Sequence, residues 1–480
     1  MKNPVVEEKV AKSIDGFRDW LSQAKLTEKK HQLDGIEWCL RRELSQGDIA
    51  GKPGGIIADE MGLGKTILSL GLILSNFVPR TLIVLPPALI DQWVGQTKRF
   101  LGHTPLVYYG AHKNTITDEQ LESAPIVITT YHHISSLPSS DPTKATRFLH
   151  RFKWDRVIFD EAHHMRNKKM NYVGARRLDC SSIWMLTGTP IHNKPTDMDA
   201  YLSLLGVNTS KRGKTPEEYR QITKNLMLRR TKDDAKLLLP PVQNHVVDVD
   251  WTSREERDMA EQIHSMLGGL FHVTRENISR AIRLLSVCPL TDLLRARQSC
   301  IIPSMMEMPI QRLMAFYPDE SVPQGFDKNS KLRAVVTKLL ERKDNNRKKL
   351  VFCHFRSEID YIVENMEQND VSCAFFDGRI TQSERTAILS DSPDVLVLQI
   401  KTACEGLNLQ QYKEVYFVSP HWNPAVEDQA VARCHRIGQT ETVDVFHFAM
   451  QNFDRISLTL DNFCMQVQET KRDMRDRIIA

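Results

Sequence analysis

At 480 residues the chain is too long for one small binding module and has room for two to four domains. Hydrophobic residues make up 41% and charged residues 26%, enough apolar mass for large cores, which excludes wholesale disorder. Lys+Arg 64 against Asp+Glu 60 leaves a net charge of +4, too little for charge alone to capture nucleic acid, so any such site must be a local patch.

In chain order, short apolar runs alternate with segments of helical period, the pattern of parallel strands joined by crossover helices. The first half predicts strands at Gly55–Ala58, Thr81–Leu85, Ile126–Thr130, Arg156–Phe159 and Ile183–Leu186. The second half predicts them at Leu350–His354, Ser372–Phe376, Val395–Ile400, Glu414–Val418 and Thr442–Phe448. Nearly continuous apolar strands imply helices on both faces of each sheet, hence an α/β fold with two lobes. From about Thr252 to Gln311 the texture turns helical, as in Glu255–Leu267 and Glu276–Leu285, and a turn-rich stretch, Tyr317–Asn329, leads to a helix over Ser330–Arg342. The division is therefore residues 1–240 as a first lobe, 241–330 as a helical insertion and linker between the two sheets, and 331–480 as a second lobe.

Nine scattered cysteines without a CxxC pair suggest neither a disulfide framework nor a zinc site, and fit an intracellular chain with reduced thiols. The opening residues lack the apolar core of a secretory signal. Ile67–Ile90 alone imitates a membrane span, but Pro79 and Pro86-Pro87 break it into a helix, a turn and a strand, so no membrane partner is expected.

The segment GGIIADEMGLGKTILSL reads as strand, glycine-rich turn and helix. Gly62 and Gly64 let backbone amides approach phosphate oxygens, Lys65 adds a point charge, and the Thr66 hydroxyl suits magnesium. The strict phosphate-loop pattern fails at its first glycine, where Asp59 stands, and alone the segment also fits an ordinary turn before a core helix. WDRVIFDEAHHMRN supplies the complement: a buried strand delivers Asp160 and Glu161 to its carboxyl end, one to hold magnesium and one to polarise the attacking water. His163 and His164 have no Cys/His partners for a metal set.

In HWNPAVEDQAVARCHRIGQ the ends predict a helix with Asn423 as N-cap, Pro424 at its first position and Gly438 just beyond its last turn. Gln429, Arg433 and Arg436 then share one face. They are read either as a salt-bridged surface or as arginine fingers for a nucleoside triphosphate.

In order and content these motifs resemble helicase superfamily 2, specifically the Swi/Snf-type ATPases that translocate on DNA. The likeness runs from HQLDGIEW (31–38) through DEMGLGKT (59–66), LIVLPPALIDQW (82–93), DEAHHMRN (160–167), LTGTPIHN (186–193) and LRRTKDD (228–234). It continues through RQSCIIP (297–303), KLVFCHFRSEID (349–360), GLNL (406–409) and the run from WNP to HRIGQ (422–439). The resemblance implies two RecA-like lobes with ATP and Mg2+ as cofactors. It implies that Gln32 reads adenine, Lys65 and Thr66 bind phosphates and magnesium, Arg433 and Arg436 are fingers with Gln429 beside them, and Thr187 and Thr189 couple the nucleotide site to DNA. Trp422 matches a position near the DNA backbone; a tryptophan there also fits packing against the helix start. Ala403-Cys404 stands where the family has a glycine pair, and His192 where glutamine is common.

The expected function is that of a DNA-stimulated ATPase that moves on double-stranded DNA and displaces or remodels DNA-bound protein, located wherever the DNA resides, in the nucleus if the cell is eukaryotic. Candidate phosphate-contacting patches are Arg166–Lys169, Lys211–Lys214 and Arg229–Lys232. The rivals are a strand-separating helicase of the same superfamily and a non-catalytic scaffold.

Overall fold

The computed structural model describes residues 4–44, 51–137, 147–191, 194–209, 214–265, 290–314, 324–400, 407–454 and 457–479. The chain forms two compact units, one of Met1–Leu238 with Met474–Ala480 and one of Leu239–Asp473.

The first unit is built on a seven-stranded sheet of β1 (Gly54–Ile57), β2 (Thr81–Leu85), β3 (Leu106–Tyr108), β4 (Ile126–Thr130), β5 (Lys153–Phe159), β6 (Asp179–Leu186) and β7 (Met227–Leu228). Its order is β3-β4-β2-β5-β6-β1-β7 and every pairing is parallel. Successive side chains of β2 divide between two cores, Leu82 and Val84 into one, Ile83 and Leu85 into the other. Both faces are thus covered, as continuous apolar strands require. Helix α1 (Pro4–Gln23) buries Val10, Phe17, Trp20 and Leu21, and α2 (Lys30–Leu44) and α3 (Lys65–Ser75) pack in the same core. The stretch 67–90 resolves into α3, β2 and a short 3-10 turn, Pro87–Leu89. Among the described residues no helix is long and apolar enough to cross a membrane.

The second unit has a six-stranded sheet of β8 (Val242–Val249), β9 (Lys348–Cys353), β10 (Cys373–Phe376), β11 (Val395–Gln399), β12 (Tyr412–Phe417) and β13 (Val443–Met450). The order is β10-β11-β9-β12-β13-β8, again all parallel. Here too alternation fills two cores, with Val351 in one and Leu350 and Phe352 in the other. Helices Arg254–Ser265 and Leu290–Ile301 make a third, smaller core with Leu460, Phe463 and Val467.

All ten expected strands are present, with ends shifted by a few residues. Three edge strands went unread: β3, β7 and β8. The last carries the second sheet into the start of 241–330, expected to be a helical insertion and linker, because Val242–Val249 pairs with β13 along its whole length. Helix Arg254–Ser265 matches most of Glu255–Leu267; Glu276–Leu285 and part of Tyr317–Asn329 lie outside the described residues.

At the amino end of the first sheet, Glu43 of α2 is buried against Arg156 of β5, accepting from Nε at 2.7 Å and Nη2 at 2.6 Å, and also from Trp184 Nε1 at 2.6 Å. Burial raises the Glu43 pKa, but the Arg156 charge and these hydrogen bonds outweigh it and the net shift is downward. Removing one partner of a buried pair strands the other charge, so Glu43→Ala is expected to destabilise the first unit by about 3–5 kcal/mol. Urea unfolding followed by tryptophan fluorescence measures this, and a loss under about 1 kcal/mol, the range of an exposed pair, would contradict it.

Candidate active site

Four neighbouring strands of the first sheet, β5, β6, β1 and β7, each release a motif at their carboxyl ends. After β5 come Asp160 and Glu161, after β6 Thr187 and Thr189, after β1 the turn from Asp59 to Gly64, and after β7 Arg229 and Arg230. Carboxyl ends of parallel strands are where open α/β sheets bind ligands. Strand order therefore brings together residues up to 171 positions apart.

The turn after β1 needs left-handed backbone at Gly62 (φ 90°) and Gly64 (φ 87°, ψ 39°), which only glycine adopts without strain. Gly64 caps α3, so the free amides of the first helical turn and half-buried Lys65 form an anion cradle. Lys65 Nζ donates to the Asp59 carbonyl at 2.8 Å. Burial lowers its pKa, and the charges of Glu161, Asp59 and Asp160 counter that shift.

Buried Asp160 is held on every side. Trp93 Nε1 donates to Oδ2 at 2.7 Å, the Glu161 amide to Oδ1 at 2.9 Å, and the Tyr131 hydroxyl to the Asp160 carbonyl at 2.7 Å. Burial first and the Glu161 charge second push its carboxyl pKa upward, against Trp93 and Lys65. A divalent cation would relieve that cost, and hard oxygens from Asp160 and Thr66 are the donor types magnesium takes beside substrate phosphates. The residues fit magnesium. Among the described residues no group of three or more His, Cys, Asp or Glu is placed so as to hold a metal ion.

Glu161 sits in the left-handed region (φ 50°, ψ 51°), where a non-glycine residue is strained, and its Oε2 lies 3.3 Å from His163 Nδ1. Thr187 and Thr189 are buried; the Thr187 amide donates to the Ile57 carbonyl at 3.1 Å, and its hydroxyl oxygen accepts from the Thr189 amide at 3.1 Å. Buried Gln32, on α2, has its side-chain nitrogen 3.1 Å from where a Cβ on Gly64 would stand. The structure thus brings Gln32, Gly62, Gly64, Lys65, Thr66, Asp160, Glu161, Thr187 and Thr189 to one edge of one sheet.

Asp59 and Trp93 are not among the site residues expected from the sequence, and Arg230 is expected only within a candidate DNA-phosphate patch. Asp59 receives Arg230 bidentately, with Nε to Oδ1 at 3.0 Å and Nη2 to Oδ2. Arg229 donates to the Ala58 carbonyl at 2.9 Å, and the Lys232 amide to Glu60 at 2.9 Å. In this structure Arg229 and Arg230 are engaged behind the phosphate loop, and Lys232 lies beside Glu60. In Arg166–Lys169, residues Asn167, Lys168 and Lys169 are exposed. Of Lys211–Lys214 only Lys214 lies within the described residues, where it bonds the Thr209 carbonyl; His192, Ala403 and Cys404 lie outside them.

In the second unit, Asn423 caps the predicted helix by accepting from the Ala425 amide at 3.1 Å, and Pro424 is its first residue. The helix ends at Val431, which corrects the reading of Gln429, Arg433 and Arg436 as one helical face. In the turns beyond it Arg433 O takes the Leu409 amide at 3.1 Å, Cys434 O takes Gln439 Nε2 at 3.1 Å, and Ile437 O takes Gln410 Nε2. Arg433 and Arg436 instead occupy irregular turns. Arg436 has no ion pair among the described residues; burial first and the Arg433 charge second pull its pKa down. Gln429 is buried and its Nε2 finds no hydrogen-bond partner there. Half-buried Trp422 packs against Phe463 with the Arg297 guanidinium 5.2 Å above its ring, contacts to helices Leu460–Ile479 and Leu290–Ile301 rather than to the start of the helix it precedes.

Residues 31–301, more than half the chain, match the SNF2-related domain, and residues 328–438 match the helicase conserved C-terminal domain. The chain belongs to the SNF2-related family. Its two α/β units are the RecA-like lobes of an ATP-using SNF2 protein. This SNF2 chain is 29% identical over 442 residues to a probable global transactivator of Orgyia pseudotsugata multicapsid polyhedrosis virus, covering 87% of this chain and 85% of the viral protein. It is 24% identical to the ATP-dependent DNA helicase DDM1 of Arabidopsis thaliana, covering 88% of this chain but only 58% of that protein. A solved SWI2/SNF2 ATPase core of Sulfolobus solfataricus in complex with double-stranded DNA shares 22% identity, with 95% of this chain and 97% of that one covered at a TM-score of 0.39.

From this geometry, Lys65→Ala is expected to weaken ATP binding, because the cation beside the amides of the cradle is lost, while Glu161→Gln keeps binding and stops turnover. Equilibrium nucleotide binding and steady-state hydrolysis on the two variants check both, and parent-rate hydrolysis by Glu161→Gln would remove the assigned base.

Proposed function

We propose that this SNF2 protein is an ATPase stimulated by double-stranded DNA, which moves along the duplex and displaces or remodels protein bound to it. The observation that carries the reading is the convergence of Lys65, Asp160 and Glu161 at the carboxyl ends of β1 and β5, on either side of β6, with every group chemically intact, which argues against a silent scaffold.

In this reading Gln32 selects the base, the amides after Gly62 and Gly64 with Lys65 hold the phosphates, and Glu161 orients the attacking water and takes its proton. Thr66 and Asp160 hold magnesium, which when bound neutralises charge on the phosphate oxygens. Thr187 and Thr189, bonded to each other and to the end of β1, relay DNA contact to the nucleotide. The helicase relatives support DNA as the partner, and the exposed run Asn167–Lys169 is the sort of local basic patch a near-neutral chain needs. The protein that it displaces is DNA-bound, and the activity belongs wherever that DNA is.

ATP hydrolysis compared with duplex DNA, single-stranded DNA and RNA at one fixed salt concentration tests this. Duplex stimulation and displacement of a third strand from a triplex, without separation of a blunt duplex, are expected. Efficient unwinding of a blunt duplex would instead make it a strand-separating helicase.

Arg433 and Arg436 act as fingers on the charge that develops in the transition state, with Gln429 beside them. Arg436→Ala is therefore expected to leave ATP affinity without DNA nearly unchanged and to lower DNA-stimulated turnover by about 10³–10⁵-fold. Near-normal turnover with a small change in melting temperature would mark a merely structural arginine.

A further inference from the structure

Arg230 follows the edge strand β7 and is separated by 171 positions from Asp59 and by 199 from His31, yet it joins them. Its Nε and Nη2 take both oxygens of Asp59, the residue standing where a phosphate loop of the strict pattern has glycine. Its Nη1 donates to the backbone carbonyl of His31, the residue before Gln32 on α2. On the other side of the same junction, His31 Nε2 bonds the carbonyl of Leu63 in the loop at 3.1 Å. One guanidinium therefore ties the beginning of α2 to the beginning of the phosphate loop.

A Cβ on Gly35, one helical turn beyond His31, would lie 2.9 Å from Arg230 Nη2, 3.3 Å from Nη1 and 3.0 Å from Leu68 Cδ1, so a side chain there would push the guanidinium out of its present place against α2. Asp59 is almost fully buried, and its backbone carbonyl is the group that holds Lys65. The backbone continues the connection, with the Ala58 amide bonded to Leu228 O at 2.7 Å and the Glu60 amide to Arg230 O at 2.8 Å.

We infer that Arg230 is a positioning residue for base selection: its bidentate grip on Asp59 and its bond to His31 set the distance between the Gln32 amide and the phosphate cradle, and thereby the preference for an adenine over a guanine nucleoside triphosphate. The inference rests on the reading of Gln32 as the residue that meets the base. Arg230 need not touch the nucleotide. A base reader discriminates only if the base arrives at its amide when the phosphates are seated, and a misplacement of about 1 Å can cost roughly 10²-fold in rate. Lysine keeps the charge but cannot span two carboxylate oxygens and a carbonyl at once.

The test measures kcat/KM for ATP and for GTP with duplex DNA at fixed salt, on the parent chain and on Gln32→Ala, Arg230→Lys and Gly35→Ala, alongside melting temperatures. The expected result is a parent that prefers ATP, and an ATP:GTP ratio that falls by roughly 10²-fold in Arg230→Lys, chiefly through KM for ATP. Gly35→Ala leaves Arg230 and Asp59 chemically intact and is expected to move the ratio the same way, which keeps the test alive if Arg230→Lys fails to fold. Equal losses for ATP and GTP in both variants, with the ratio unchanged while Gln32→Ala does change it, would overturn the positioning role and leave only a structural brace. A parent indifferent to the base, or a Gln32→Ala ratio equal to the parent's, would remove the base-reading assignment and the inference with it.

Discussion

The first unit's chemistry depends on the order in which its parallel strands lie. With all strands running one way, every motif loop emerges on the same edge, and the order β5-β6-β1-β7 places the carboxylates, the threonine pair, the phosphate loop and the arginine brace side by side. Neighbouring strands are about 4.8 Å apart, so the ends of β5 and β1, with β6 between them, stand roughly 10 Å from each other. That gap admits a terminal phosphate with lysine on one side and carboxylates on the other. Thr187 and Thr189 fill the intermediate place, and the Thr187 amide bonds the last residue of β1. A group that senses one edge of the gap is thereby attached to the other.

Within this frame α2 is pinned at both ends by a carboxylate and a guanidinium. Glu43 and Arg156 do so at the amino edge of the sheet, Asp59 and Arg230 at the carboxyl edge. Buried ion pairs add little net stability over apolar packing, but breaking one is expensive, so they are better suited to fixing a position than to strengthening a fold. Two such pins on a helix of 15 residues hold its axis against the sheet. The departure at Asp59 from the strict glycine pattern becomes intelligible on this basis, since a glycine there would offer Arg230 nothing to grip.

Central strands and the nucleotide residues were legible because their signals are local. Val157–Phe159 is apolar throughout and ends in two acids, and Gly62, Gly64, Lys65 and Thr66 are consecutive or nearly so. Edge strands escaped because they obey a different rule. In β8, VQNHVVDV, exposed and half-buried positions dominate, since only β13 flanks it, and the continuous apolar run that marks an interior strand is missing. The pairings of Arg230 with Asp59 and of Trp93 with Asp160 escaped for another reason: each joins residues distant in sequence, and a buried indole or guanidinium advertises a need for partners without naming them.

The turn that carries Arg433 and Arg436 shows where helical periodicity stops being a guide. Gly438 is a valid stop signal, yet the regular helix ends at Val431, and in the turns that follow the Ile437 and Cys434 carbonyls are taken by the side-chain amides of Gln410 and Gln439. Such bonds form only where tertiary contacts hold the side chains in place, and no period in the sequence records that. The arrangement they impose sets one guanidinium near another, with burial and like charge both weakening Arg436's hold on its proton. Neither effect stabilises the free protein, and the buried Gln429 Nε2, without a hydrogen-bond partner among the described residues, adds a further desolvation cost. On the proposed finger role, the cost carried by Arg436 and the Gln429 amide is the counterpart of the charge stabilisation that an arginine finger supplies during phosphoryl transfer.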